Sequence, residues 1–409
     1  VSRPEPWLVS YGLVGLTQSG LVPVLMPLVA PHGTAAGLTF AAFSLLGIFA
    51  PILGGWADRT GRHRDLLIWG AFGAGALLLL FDTVSAPLRI LFAAGAGLGT
   101  TAATTAGNVL AIQGMPEDEW DIRVALLQRC VSAGQVIGLI AAGLLAHRDP
   151  GDGFRLAGAA LLAAGLLAFV SAPRRRGRDA KPGPITAGDT AAPGPHRRWP
   201  HFSLQQIDGY LSVINSPMRR FLLIWLIAYS AMNGFAALFP VVMTRQFGMD
   251  PILPSGAYAV GVGVSLMLYS FAGATTHRLG GERMLAAGFA ARLAILGLLS
   301  VLGWQPAGAT GWPVLVGFAL IQFVWPLIAV AANSLSVRYM PAARGESVGL
   351  FNATTSLSSA VGSALAGVIY DFGGFAALAT GAFAAVAAAL LLSEFWLRQP
   401  LASRQQAHL

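Results

Sequence analysis

The chain has 409 residues, of which 55% are hydrophobic and only 11% charged. A soluble domain carries about 25% charged residues, so this composition excludes an all-round water-facing surface and points to lipid as the solvent. The single cysteine, Cys130, excludes an intrachain disulfide and a cysteine-cluster metal site.

In chain order, the first apolar segment lacks the cationic stretch, short apolar core and small-residue cleavage site of a signal peptide, and is expected to stay as an anchor. A membrane helix needs about 20 mainly apolar residues. Twelve such segments follow one another: 7–29, 35–57, 66–84, 88–112, 122–146, 154–172, 219–243, 255–276, 284–304, 312–335, 346–370 and 374–397. Gly134-x-x-x-Gly138 in the fifth and Gly362-x-x-x-Ala366 in the eleventh have the small-residue spacing that lets membrane helices pack closely.

With the N-terminus in the cytoplasm, 20 Lys and Arg residues fall on the cytoplasmic side and four, Arg89, Arg148, Arg155 and Arg245, on the other. The net charge of +8 is therefore a topology signal, and a nucleic-acid partner is excluded. Residues 173–217 form the one long polar stretch and divide six spans from six. Their Pro-, Gly- and Arg-rich first part is expected to be disordered, with an Arg cluster suited to anionic lipid heads. In 203–216, Ser203 and Gln206 have capping-box spacing, and Leu204, Ile207, Leu211 and Ile214 recur at helical spacing. The expectation is an amphipathic helix lying on the cytoplasmic face, ended by Pro217. The domains are thus 1–172, the linker 173–217, and 218–409.

The halves echo each other. After the second span comes "GGWADRTGR" from Gly54, and after the eighth comes "GATTHRLGGER" from Gly273. Gly54, Arg59 and Gly61 align with Gly273, Arg278 and Gly280, and Asp58 falls on His277. Asn108 to Met115-Pro116 repeats as Asn333 to Met340-Pro341. Two parallel six-span repeats are a transporter architecture.

With these residues in place, the loop after the second span resembles the signature of the major facilitator superfamily. Gly54, Asp58, Arg59, Gly61, Arg62 and Arg64 fit that pattern, and Trp56 replaces its usual Leu. The resemblance spans the chain and implies an all-α membrane protein of twelve transmembrane helices in two pseudo-symmetric six-helix bundles. It implies a gating role for Gly54, Asp58, Arg59, Gly61 and Arg62. Asp58 would latch onto the N-terminus of the eleventh helix near Glu346, where backbone N–H groups are unpaired. Two departures weaken a proton/drug antiport reading. Proton-coupled exporters of this superfamily carry an Arg at the position of Leu91, before Gly95 and Gly97. They also carry a Pro in the fifth span, where this chain has Gly138-Leu139.

The resemblance places the solute site between the halves, on spans one, four, seven and ten with help from two, five, eight and eleven. The candidates there are Gln18, Arg129, Gln135, Tyr229, Asn233, Tyr269, Gln322 and Trp325. Most Ser and Thr residues, such as Thr100, Thr101 and Thr104, are expected to bond their own helix backbone. An intramembrane Arg costs at least about 2.5–3.5 kcal/mol. Arg129 therefore either snorkels to the acidic loop of Glu117, Asp118, Glu119 and Asp121, or binds an anionic group of the solute. Arg292 has the weaker claim, because the ninth span normally lies outside the cavity.

No carboxylate falls mid-span, so coupling would use a proton on a peripheral acid such as Asp58 or Glu346, an exchanged anion, or nothing. There is no phosphate-binding loop, no metal spacing among the histidines and no visible catalytic set. The expectation is a non-enzymatic secondary transporter of a small amphipathic or anionic organic solute, without cofactor or metal. It would work by alternating access as a monomer in the inner membrane, both termini cytoplasmic, with export favoured. An importer or uniporter, and a non-transporting sensor or assembly factor, are the alternatives.

Overall fold

The computed structural model describes residues 6–112, 120–172, 217–305, 307–339 and 344–397. Among these the regular structure is helical. The helices are α1 (Trp7–Leu28), α2 (33–60), α3 (His63–Leu79), α4 (Ala86–Ile112), α5 (Trp120–Arg148) and α6 (Pro150–Ser171), then α7 (Pro217–Gln246), α8 (Ile252–Leu279), α9 (Gly281–Gly303) and α10 (Ala307–Arg338). The final stretch, Arg344–Leu397, is broken at Gly374 (φ 59°, ψ −156°), a conformation open to glycine, which divides α11 (344–373) from α12 (374–397).

Nine stretches among the described residues are long and apolar enough to cross a membrane, and one of them, Gly349–Leu397, is the α11–α12 pair. The two others are α3, with 17 residues, and α4, whose Thr100-Thr101 and Thr104-Thr105 pairs dilute its hydropathy. Trp69, Met267, Phe372, Leu391 and Phe395 stand exposed on the outer surface. Such a surface suits acyl chains and not water, so this is a multi-pass membrane protein.

Each half is sealed by a seam of small residues. A Cβ on Gly134 of α5 would lie 1.8 Å from the Gly12 carbonyl of α1, and one on Gly138 would lie 2.2 Å from that of Leu16. In the second half, a Cβ on Gly362 of α11 would lie 2.0 Å from the Ser230 carbonyl of α7. One on Gly234 would lie 2.3 Å from the Gly362 carbonyl. These are the two spacings legible in the sequence, and they occupy corresponding helix pairs. The turns repeat as well: Gly61 (φ 66°) after α2 and Gly280 (φ 87°) after α8 both need positive φ.

The arginine-poor ends of the helices hold the halves together. Across them, a Cβ on Gly37 of α2 would lie 2.2 Å from the Ser363 carbonyl of α11, so the two backbones touch. The 203–216 helix and the linker before it lie outside the described residues.

Candidate functional site

Between the halves lies a cavity of about 350 Å³. Its first wall comes from α1, α2 and α5. A π-helical segment, Leu16–Leu21, interrupts α1 where Gln18 and Ser19 reach the cavity. Such bulges rotate side chains out of α-helical register and are frequent at functional sites. From α5, Ser132 and Gln135 join them, and α2 adds Phe40, Phe43 and Ser44.

The facing wall is aromatic. Tyr229 of α7 lines it, backed by the buried Trp225 and Phe221 at spacings of four, with successive ring centroids 5.2 and 6.5 Å apart. Trp325 of α10 lies 5.9 Å from Tyr229 and 6.4 Å from Trp225. Tyr258 and Tyr269 of α8 complete the ring-bearing surface. The Trp225 indole N–H donates to the Thr355 hydroxyl at 2.8 Å, which fixes the foot of the ladder.

Asn233 spans both walls. Its amide donates to the Ser359 hydroxyl at 2.6 Å, and that hydroxyl donates to Ser44 at 3.0 Å, linking α7, α11 and α2. The Gln18, Gln135 and Gln322 amides also line the cavity, with no hydrogen bond to other described residues. Amides have donors and acceptors to satisfy, and here they are left for a solute or water.

Seven of the eight sequence candidates, Gln18, Gln135, Tyr229, Asn233, Tyr269, Gln322 and Trp325, therefore line one cavity. Arg129 is not among the lining residues: it is exposed on α5, six residues and about 9 Å of rise from Gln135. The cation in the lining is Arg292 of α9, which the sequence reading ranked lower. Its guanidinium reaches between α7 and α10, where Nη2 donates to the Ile321 carbonyl at 2.9 Å and Nη1 touches the Met232 sulfur. The signal that could have found it was depth: Arg292 sits at mid-length of its helix, whereas Arg129 lies nearer an end. Two of the threonines of α4 bond their own helix backbone as expected, Thr100 to Gly97 at 3.0 Å and Thr104 to Thr100 at 3.0 Å.

At the arginine-poor end the halves are clasped. The Asp371 carboxylate, in the last turn of α11, accepts from the Gly33 N–H at 2.8 Å, the Thr34 N–H at 2.6 Å and the Thr34 hydroxyl at 2.6 Å. It thereby caps the N-terminus of α2, and His32 lies 3.4 Å away. Burial acts against its charge, but the Thr34 and Gly33 bonds with His32 outweigh it and hold the carboxyl below its ordinary range. Arg245, at the end of α7, donates to the Leu28 and Pro31 carbonyls at 3.2 Å and to that of Ala30. His147 of α5 meets Asp250 at 2.6 Å.

At the arginine-rich end, Gly61 turns the chain out of α2, and Gly54 packs beside Thr105 of α4. Arg62 pairs with Asp65 at 2.7 Å and lies 5.7 Å over the Trp56 ring, holding the loop together. The Asp58 and Arg59 side chains and residues 340–343 lie outside the described residues, and with them the expected latch. Among the described residues no cluster of His, Cys, Asp or Glu could hold a metal ion.

A family model described as Major Facilitator Superfamily matches residues 7–342. The chain is similar to Tetracycline resistance protein, class E, of Escherichia coli, with 23% identity over 369 residues, 88% of this chain and 84% of that protein. A mutant of the nucleoside transporter NupG superposes with a TM-score of 0.73 at 11% identity, covering 96% of this chain and 99% of that one. A bacterial homologue of the human lysosomal transporter Spinster, in an inward-facing and occupied conformation, gives 0.70 at 14%, covering 99% and 98%. At these identities the structures speak for the fold alone.

Proposed function

Because the chain belongs to the major facilitator superfamily, we propose that it exports a small amphipathic organic solute across the inner membrane by alternating access. It is a transporter and not an enzyme. One observation carries the solute reading: a single cavity, walled by both halves, sets amides against stacked aromatic rings. Gln18, Gln135, Asn233 and Gln322 would bind polar groups of the solute, while Tyr229, Tyr269 and Trp325 would cover its apolar body.

The arginine distribution supports cytoplasmic termini, which puts the clasp of Asp371 and Arg245 on the outer face. The described conformation is then closed to the outside, and solute would enter the cavity from the cytoplasm. The resemblance of the α2–α3 loop to export-type relatives supports export, as does likeness to a protein named for tetracycline resistance. Opening outward would break the Asp371 clasp and close the opposite end, where Asp58 would engage the start of α11 and the Gly54–Arg62 loop would gate. The polar lining argues against a non-transporting sensor, whose cavity should be apolar.

The experiment has two stages. The purified chain is screened for thermal stabilisation across a library of organic solutes, since a ligand of the native state raises the melting temperature. Hits are then followed in everted membrane vesicles with and without a pH gradient. Accumulation in everted vesicles is expected. Uptake only in right-side-out vesicles would make the protein an importer, and stabilisation without transport in either direction would make it a sensor. A gradient-independent rate would remove the coupling proton.

A further inference from the structure

Arg292 bears on the charge of the solute, an inference that rests on the cavity being the solute site. Arg292 is 3% exposed and lies at mid-length of α9. A guanidinium keeps its charge and offers five donors in a fixed fork. Here one nitrogen is bonded to the Ile321 carbonyl, a second rests on a thioether, and the buried Nε has no partner. No carboxylate among the described residues pairs with it. Asp371, Asp250, Glu282 and Glu394 all sit at or near helix ends.

A buried cation without a counter-charge is strongly unfavourable, and chains retain one where function uses it. A role in packing alone would be met by an apolar side chain of similar length, without that cost. What surrounds Arg292 on the cavity side is neutral and aromatic: Tyr229, Tyr258 and Tyr269, and Trp325, whose ring lies 5.9 Å from the guanidinium carbon. We propose that Arg292 is the anion anchor of the cavity, binding the acidic group of a planar aromatic solute whose ring packs on Trp325 and Tyr229. The solute class is then an aromatic carboxylate or a similar organic acid, and the Gln322 amide on the same wall would bond its second oxygen.

The test uses a pair of probes that differ in charge alone, naphthoate and naphthamide, titrated onto the purified full-length chain and read by tryptophan fluorescence. Wild type is expected to bind the acid about ten-fold more tightly than the amide, the scale of a hydrogen bond to a charged group. Arg292→Gln should abolish that preference and leave naphthamide affinity within about two-fold, while Arg292→Lys keeps the preference in weaker form. Equal naphthoate affinity in wild type and Arg292→Gln would overturn the anchor, as would the absence of any preference in wild type. Should Arg292→Gln fail to fold, the wild-type preference and Arg292→Lys decide. Displacement of naphthoate by an equal concentration of chloride would assign the site to an inorganic anion and overturn the aromatic half of the proposal. If wild type binds neither probe but other solutes stabilise it, the anchor falls and the cavity reading stands; if no solute stabilises it, both fall.

Discussion

The two halves share a scaffold and differ in the chemistry they bring to the cavity. The first half supplies amides and hydroxyls, Gln18, Ser19, Ser44, Ser132 and Gln135, beside Phe40 and Phe43. The second half supplies amides and hydroxyls too, Asn233, Gln322, Ser265 and Ser359, but adds three tyrosines, Trp325 and the cation Arg292. Yet the α1–α5 and α7–α11 seams are both built on glycine, and the turns after α2 and α8 both hinge on a positive-φ glycine. Backbone-level features have stayed alike where helices must approach, while side chains facing the cavity have diverged. On the proposed reading, the aromatic and charged part of solute recognition would weigh on the second half, and the packing on both.

The largest effects should come from the seams. Gly134→Ala and Gly362→Ala each drive a methyl group into a backbone carbonyl that cannot swing away, and each should cost about 3 kcal/mol or more. Gly73→Ala, with nothing near its Cβ, should leave the melting temperature unchanged. A thermal scan that finds one seam tolerant and the other not would break the scaffold equivalence.

Next come the walls. Trp325→Ala removes a ring in contact with Tyr229 and Trp225 and should weaken solute binding about thirty-fold, as loss of a buried aromatic anchor does. Gln18→Ala removes one polar group and should cost about ten-fold at most. Comparable losses in a binding titration would show that the first half contributes as much as the second.

The smallest effect concerns the clasp. Because its partners hold Asp371 below its ordinary range, the clasp is fully formed above the usual carboxylate pKa of about 3.9 and is lost as pH falls through the depressed value. Tyr370 and Arg245 also face it. Asp371→Asn at neutral pH should therefore mimic the acidified wild type, shifting a few-fold more molecules to a state parted at this end. Spin labels at Leu38 and Phe372, both exposed, would report the distance in a background lacking Cys130. No change in the distance distribution would show that the clasp does not bias the equilibrium.

Much of this was legible in the sequence for physical reasons. Lipid demands long apolar runs, so the spans stood out; close backbones demand glycine, so both seams could be marked before their partners were known. Amides near mid-span are costly unless used, and Gln18, Gln135, Asn233 and Gln322 did converge. The arginines show the limit. The family pattern favours Arg129 over Arg292 because the ninth span normally lies outside the cavity, but a long side chain on a peripheral helix can pass between its neighbours, as that of Arg292 does. Periodicity cannot report such a reach. Nor does it reveal the π segment at Gln18 or the pairing of Asp371 with α2, which joins residues 338 positions apart.

The meeting of α2 with α11 bears on how readily the molecule changes shape. Where Gly37 faces Ser363 and Gly367, the contact is backbone on backbone. Parting such faces uncovers little hydrocarbon, at about 25 cal/mol per Å² of apolar area, and releases no long side chains to be reordered on return. It works as a bearing rather than a weld. In the proposed cycle the resting preference would then be set by a few removable polar fasteners around it, and a single substitution would retune it while the bundles themselves stay intact.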